Sequence, residues 1–145
     1  MNTFHNQRVL PAPPAAVFAA IATPERLARW WGPAGFSNRF ERCDFRPGGR
    51  WVFEMVGPDG TVYPNESVFQ HIEPHRQVVV RHTCAPLFTL TITLEPVAEG
   101  TRVQWQQVFD DPAFAQAAAH ILQPANEQNL DRLHAELERS ATCPG

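Results

Sequence analysis

The sequence predicts an α+β domain in which a curved antiparallel sheet of about seven strands is accompanied by two short helices and a long C-terminal helix. Three observations predict it. Between Phe36 and Phe109 apolar residues recur at every second position, and turn-forming residues divide the segment into runs of strand length. From Leu122 to Leu137 the spacing changes to three and four, which describes one face of a helix. Before the strand region, an Ala-rich segment opened by Pro13-Pro14 and a second segment opened by Pro24 each have the start signal of a short helix.

Residues 4–10 read as the first strand. Pro11-Ala12-Pro13-Pro14 leads into Ala15 to Ala22, a short helix of high intrinsic propensity, and Thr23 stands where it can cap a second helix that Gly32-Pro33 brings to an end. Gly48-Gly49, Pro58-Asp59-Gly60, Glu73-Pro74-His75, Ala85-Pro86 and Glu99-Gly100 then separate six further strands. The clearest is Leu87 to Leu94, where Phe88, Leu90, Ile92 and Leu94 alternate with three threonines, so one face is buried and the other is wet. By the same parity Trp51, Phe53 and Met55 share an inner face, as do Val103, Trp105 and Gln107. Asp110 or Asp111 can cap the last helix at Pro112. Its stripe is Leu122, Asn126, Leu130, Leu133 and Leu137, and Pro124 is expected to kink it or split it in two. The tail 140–145 is expected to fray. One domain spans 1–145, with no repeat or linker to suggest a second.

Composition excludes several function classes. There is no Lys, and 12 Arg face 15 Asp plus Glu for a net charge of -3, which leaves no basic footprint for nucleic acid or anionic lipid. No apolar stretch approaches the roughly 20 residues that span a bilayer. Cys43, Cys84 and Cys143 are odd in number and scattered, and no secretory leader pattern opens the chain, so a reduced cytoplasmic protein is expected. No Gly-x-Ser-x-Gly motif, phosphate loop or zinc-ligand spacing is present, and no metal or cofactor is expected.

What remains is a polar minority sharing faces with apolar residues. Glu66 is in phase with Val68 and Ile72, His82 with Val78 and Val80, Gln107 with Trp105, and Asn126 with Leu122 and Leu130. An unpaired buried polar group costs roughly 1 to 3 kcal/mol, so these four either bond one another or face a ligand. A strongly curved sheet and one helix across its mouth cannot touch everywhere, and the gap between them is the expected pocket.

Three segments carry a family resemblance: Arg29-Trp30-Trp31-Gly32-Pro33, Phe45-Arg46-Pro47-Gly48-Gly49-Arg50-Trp51-Val52-Phe53, and Gly57-Pro58-Asp59-Gly60-Thr61-Val62-Tyr63-Pro64. In this order, between the Pro-opened helix and the C-terminal helix, they resemble the bacterial members of the START-like SRPBCC superfamily, in the branch similar to the activator of the heat-shock protein 90 ATPase. The resemblance runs from about Arg8 to Leu137. It implies the helix-grip fold of START and Bet v proteins, whose cavity serves carriers, enzymes and protein-binding modules alike. The leading expectation is binding of a small apolar or amphipathic molecule by Trp51, Phe53, Met55, Phe88, Leu90, Ile92 and Trp105, with the amides of Gln107 and Asn126 meeting across the cavity. A cyclase- or aromatase-like enzyme is the alternative, with Glu66 or His82 as general base. The third reading is a co-chaperone module; the eukaryotic activator carries an additional N-terminal domain that this sequence lacks, so a chaperone partner is not expected. A homodimer is left open.

Overall fold

The computed structural model describes residues 2–142. β1 (Thr3–Leu10) leads into α1 (Pro14–Ala22) and α2 (Pro24–Trp30), followed by β2 (Ser37–Cys43), β3 (Arg50–Val56), β4 (Val62–Glu73), β5 (Gln77–His82), β6 (Phe88–Val97), β7 (Gly100–Phe109) and α3 (Pro112–Thr142). The strands form one antiparallel sheet in the order β1-β7-β6-β5-β4-β3-β2. Strands β2 to β7 meander through the five expected turns, and β1 returns to pair with β7. At the first turn only glycine fits position 49, since a Cβ there would overlap the Asp44 carbonyl.

The helix boundaries show which local signals the chain uses. Proline opens all three helices, where its missing N–H costs no intrahelical bond. Thr23 does not cap α2 with its hydroxyl; its backbone carbonyl accepts from the N–H of Arg26 and Leu27 instead, at 3.0 and 2.8 Å. Asp111 caps α3, its Oδ1 accepting the Ala113 N–H at 3.0 Å, while Asp110 turns away to accept two 2.7 Å bonds from Arg81. Pro124 lies inside α3 without dividing it. It is exposed, as is His120 one turn earlier, so water can serve the carbonyl that lost its donor. The helix continues to Thr142, beyond the expected start of fraying; residues 143–145, with Cys143, lie outside the described residues.

The inner face of the sheet carries an aromatic core. Trp51 stacks on Phe53 and Phe69, and Trp31 packs edge-on against Trp51 and at a tilt against Trp105. Trp30 completes the group against Trp31 and Trp105, donating its indole N–H to the Ala20 carbonyl at 3.0 Å. Below these rings α1 contributes Val17, Ala20 and Ile21, while α3 contributes Leu130, Leu133 and Leu137. A smaller cluster of Phe4, Phe109 and Ala115 attaches the start of α3.

A buried carboxylate fastens α3 to α2. The Glu136 side chain, 3% exposed, accepts hydrogen bonds from Arg26 Nε at 2.9 Å and from Arg29 Nε and Nη2 at 3.0 and 2.9 Å. Burial alone would raise its pKa; the two hydrogen-bonded guanidiniums overcome that and hold it below the usual glutamate value. A carboxyl depressed in the folded state contributes its full stability above its unfolded value of about 4.5 and loses it as the pH falls through the folded value. The urea midpoint is therefore expected to drop in acid below about pH 4.5, and to drop less in Glu136→Gln. Equal acid sensitivity of both proteins would assign the loss to other carboxylates.

Candidate functional site

A cavity of about 450 Å³ lies between the inner sheet face and the first half of α3. Its floor comes from consecutive inward positions of neighbouring strands: Phe53 and Met55 on β3, Ser67 on β4, Val80 and His82 on β5, Phe88 and Leu90 on β6, and Trp105 and Gln107 on β7. Its roof is Ile121, Leu122, Ala125, Asn126 and Asn129 of α3, and its lip is the loop Trp31-Gly32-Pro33. Tyr63 and Ile121, 47% and 61% exposed, stand at the rim. None of the lining residues is Asp, Glu, Lys or Arg. The cavity is apolar with a few neutral polar groups, and its size falls within the roughly 300–1,000 Å³ of small-molecule sites.

The lip is positioned by α3. Arg132 Nη1 donates to the carbonyls of Trp31, Gly32 and Pro33, each at 3.0 Å, and Nη2 donates to that of Arg29 at 2.8 Å. Arg29 lies in the last turn of α2, where carbonyls lack intrahelical partners, and the other three follow the helix, so one guanidinium ties the helix end and the lip to α3. Asn129 works from both ends of its amide: Nδ2 donates to the Trp30 carbonyl at 3.0 Å and Oδ1 accepts the Gly32 N–H at 3.2 Å. Gly32 itself has φ +96°, a left-handed backbone conformation that a residue with a Cβ adopts only under strain, so the lip favours glycine.

Two polar poles face the cavity. At one, Asn126 Nδ2 donates to Gln107 Oε1 at 3.1 Å, both residues buried, which leaves the Gln107 N–H groups and the Asn126 carbonyl free of protein partners among the described residues. At the other, the His82 ring has Nδ1 at 2.7 Å from the Pro86 carbonyl and Nε2 at 2.9 Å from Asn65 Oδ1, and it stacks on Phe88. Burial pushes this imidazole down, against the raising effect of its backbone hydrogen bonds, so it tends toward the neutral form. The Trp105 indole N–H is also buried without a hydrogen-bond partner among the described residues.

The sequence profile of the family described as Activator of Hsp90 ATPase homolog 1-like protein matches residues 11–138. The chain belongs to that family. No curated protein matches the chain. Among solved structures, this Activator of Hsp90 ATPase homolog 1-like chain is similar to a Nitrosomonas europaea protein at 22% identity, covering 98% of this chain and 97% of that one with a TM-score of 0.88. A Chromobacterium violaceum protein matches at 26% identity over 93% and 96% of the two chains, with a TM-score of 0.82. A protein from Aeromonas hydrophila, described as AHSA1-like, matches at 19% identity over 96% and 94%, with a TM-score of 0.75. The shared architecture is the helix-grip fold of the START-like SRPBCC superfamily.

Against this family scaffold, the residues singled out from the sequence divide into two sets. Phe53, Met55, Phe88, Leu90, Trp105, Gln107, Asn126 and His82 line the cavity together. Trp51 and Ile92, each 1% exposed, do not: they lie on the inner face but within the packed core, because parity reports which face a residue occupies and not how far along the strand the helix stands off. Glu66 is on the opposite face, ion-paired with Arg50. A β-bulge between Phe69 and His71 inserts Gln70 and reverses the parity of β4, so Ile72 and Glu66 cannot share a face. Asn65 and Ser67 are the inward residues instead, and both were missed for that reason. Asn129 was missed although it follows Asn126 at helical spacing; a second polar residue at i+3 was the available signal.

Proposed function

We propose that this protein binds a small, neutral, amphipathic molecule in the cavity under α3, holding its carbonyl or hydroxyl at the Gln107–Asn126 pole and its apolar body against Phe53, Leu90 and Trp105. The observation that carries this reading is the combination of about 450 Å³ of space with a lining that contains no acidic or basic side chain other than a buried imidazole. A charged guest would leave water without gaining a counter-ion, whereas a neutral one exchanges water for apolar surface and two amides. Of the two catalytic candidates, only His82 borders the cavity. The reading requires no chaperone, no nucleic acid and no second copy of the chain, and it fits a cytoplasmic carrier or sensor.

Native mass spectrometry of the purified protein and titration with a neutral polarity-sensitive dye such as Nile red test it. Dye affinity is expected to be insensitive to ionic strength. Gln107→Leu and Asn126→Leu should each weaken a carbonyl-bearing neutral guest by about 1–3 kcal/mol, roughly 5- to 150-fold, with the fold retained. Absence of any bound dye, or stronger binding of a carboxylate amphiphile than of its amide, would overturn the proposal.

A further inference from the structure

Cys84 lies in the turn two residues beyond β5, with its Sγ 3.4 Å from His82 Nε2 and 3.9 Å from the Glu66 carbonyl. The His82 Nδ1 approaches the Pro86 carbonyl to 2.7 Å, a separation that requires Nδ1 to carry a hydrogen and donate it. In the neutral ring Nε2 then presents its lone pair, and the thiol is the donor that can meet it. Asn65 adds a second feature. Its amide is oriented by Nδ2 donating to the Tyr63 carbonyl at 2.9 Å, which leaves Oδ1 facing Nε2 at 2.9 Å. Against a neutral ring this is oxygen lone pair against nitrogen lone pair. Once Nε2 takes the thiol proton, the same contact becomes a hydrogen bond to an imidazolium. Thiol, ring nitrogen and amide oxygen are thus placed as a nucleophile with its base and an orienting group.

The flanking Arg81 pairs with Asp110 and its charge opposes protonation of the ring, while Glu66 pairs with Arg50. Among the described residues no carboxylate hydrogen-bonds the imidazole, and the thiol is the proton donor placed against its Nε2. Access comes from outside the cavity. Cys84 is half-buried and borders a groove of about 510 Å³ on the outer sheet face, beside Val52, Glu54 and Glu66. At Cys43, burial, with a smaller contribution from Asp44, pushes the thiol up to about 11.

We propose that Cys84 and His82 form a thiol–imidazole dyad that adds to α,β-unsaturated carbonyl compounds entering from the outer groove. In the addition, the Sγ proton passes to His82 Nε2 while sulfur forms a bond to the β-carbon. The C=C π pair moves toward the carbonyl oxygen as an enolate, and Nε2–H then delivers the proton to the α-carbon. The sum is S–H added across C=C, with no further reactant. This chemistry needs a base at sulfur and then an acid at carbon, and one imidazole supplies both. It stands or falls independently of what occupies the cavity.

N-ethylmaleimide, itself an α,β-unsaturated carbonyl compound, is the probe, applied to the whole chain at limiting concentration with peptide mapping of each adduct. Cys84 is expected to react at least about tenfold faster than glutathione at neutral pH. His82→Phe keeps a ring stacked on Phe88 and removes the base, and should slow Cys84 by about tenfold or more. Asn65→Leu leaves His82 in place and removes only the acceptor at Nε2, so slowing by several-fold is expected even if His82→Phe fails to fold. A Cys84 rate no faster than glutathione, or one unchanged in Asn65→Leu, would overturn the dyad.

Discussion

Trp105→Ala is expected to lower the unfolding free energy by about 3–5 kcal/mol, the cost of removing a large aromatic side chain from a packed interior. Trp105 is 2% exposed, lies opposite Ile92 of β6 and Asn6 of β1, and packs against Trp30 at the end of α2 and Trp31 in the lip. Its removal would leave a void shared by β7, α2 and the lip, where rigid indole neighbours relax little. Urea unfolding followed by far-ultraviolet circular dichroism measures the loss. Trp105→Phe should cost less, about 1–3 kcal/mol, because most of the ring volume remains. A loss below about 1 kcal/mol in the alanine variant would mean that the cluster collapses around the gap. Since Trp105 also borders the cavity, failure of the alanine variant to bind a dye reports instability as well as lost contact. Gln107→Leu, near-equal in volume, isolates the polar contact.

Arg132→Met is the second large effect, at an expected cost of about 2–4 kcal/mol, because hydrogen bonds from a charged donor contribute roughly 1.5–3 kcal/mol each but do not add independently. Methionine retains much of the aliphatic stem and deletes only the donors. Four carbonyls at the end of α2 and along the lip then lose a partner at once, and Asn129 and Gln128 remain to hold the loop to α3. Amide hydrogen exchange should rise across residues 29–34 more than in β6 and β7. Uniform acceleration across the chain would show that the guanidinium stabilises the whole fold and not the lip in particular. A looser lip is also expected to speed the release of a bound dye, with a smaller effect on its entry.

The hairpin region was legible because turn chemistry and alternation act over a few residues. All five turns fall between the strands they were read to separate, and the stripe from Leu122 to Leu137 faces the core as spacing required. The reading failed where one inserted residue undid the parity. Nothing in Val68-Phe69-Gln70-His71 marks a bulge, since no glycine or proline stands there, yet the bulge decides that Asn65 and Ser67 face inward and Glu66 outward. Asp110 and Asp111 were equivalent as caps in sequence. Arg81, on a distant strand, took one and left the other.

By itself the sequence determined the α+β class, the order of elements, the inner faces of most strands and four polar candidates, of which His82, Gln107 and Asn126 border the cavity and Glu66 does not. These follow from periodicity and turn preference, which are properties of short segments. Only the tertiary structure decided where the sheet parts from α3, so that Phe53 borders open space while Trp51 and Ile92 are packed. Only it brought Arg132 to the end of α2, across 103 positions from Arg29, and set the side chains of Asn65 and Cys84 against one nitrogen of His82. Such contacts are set by sheet curvature and helix placement, which the whole chain fixes together and no local pattern records.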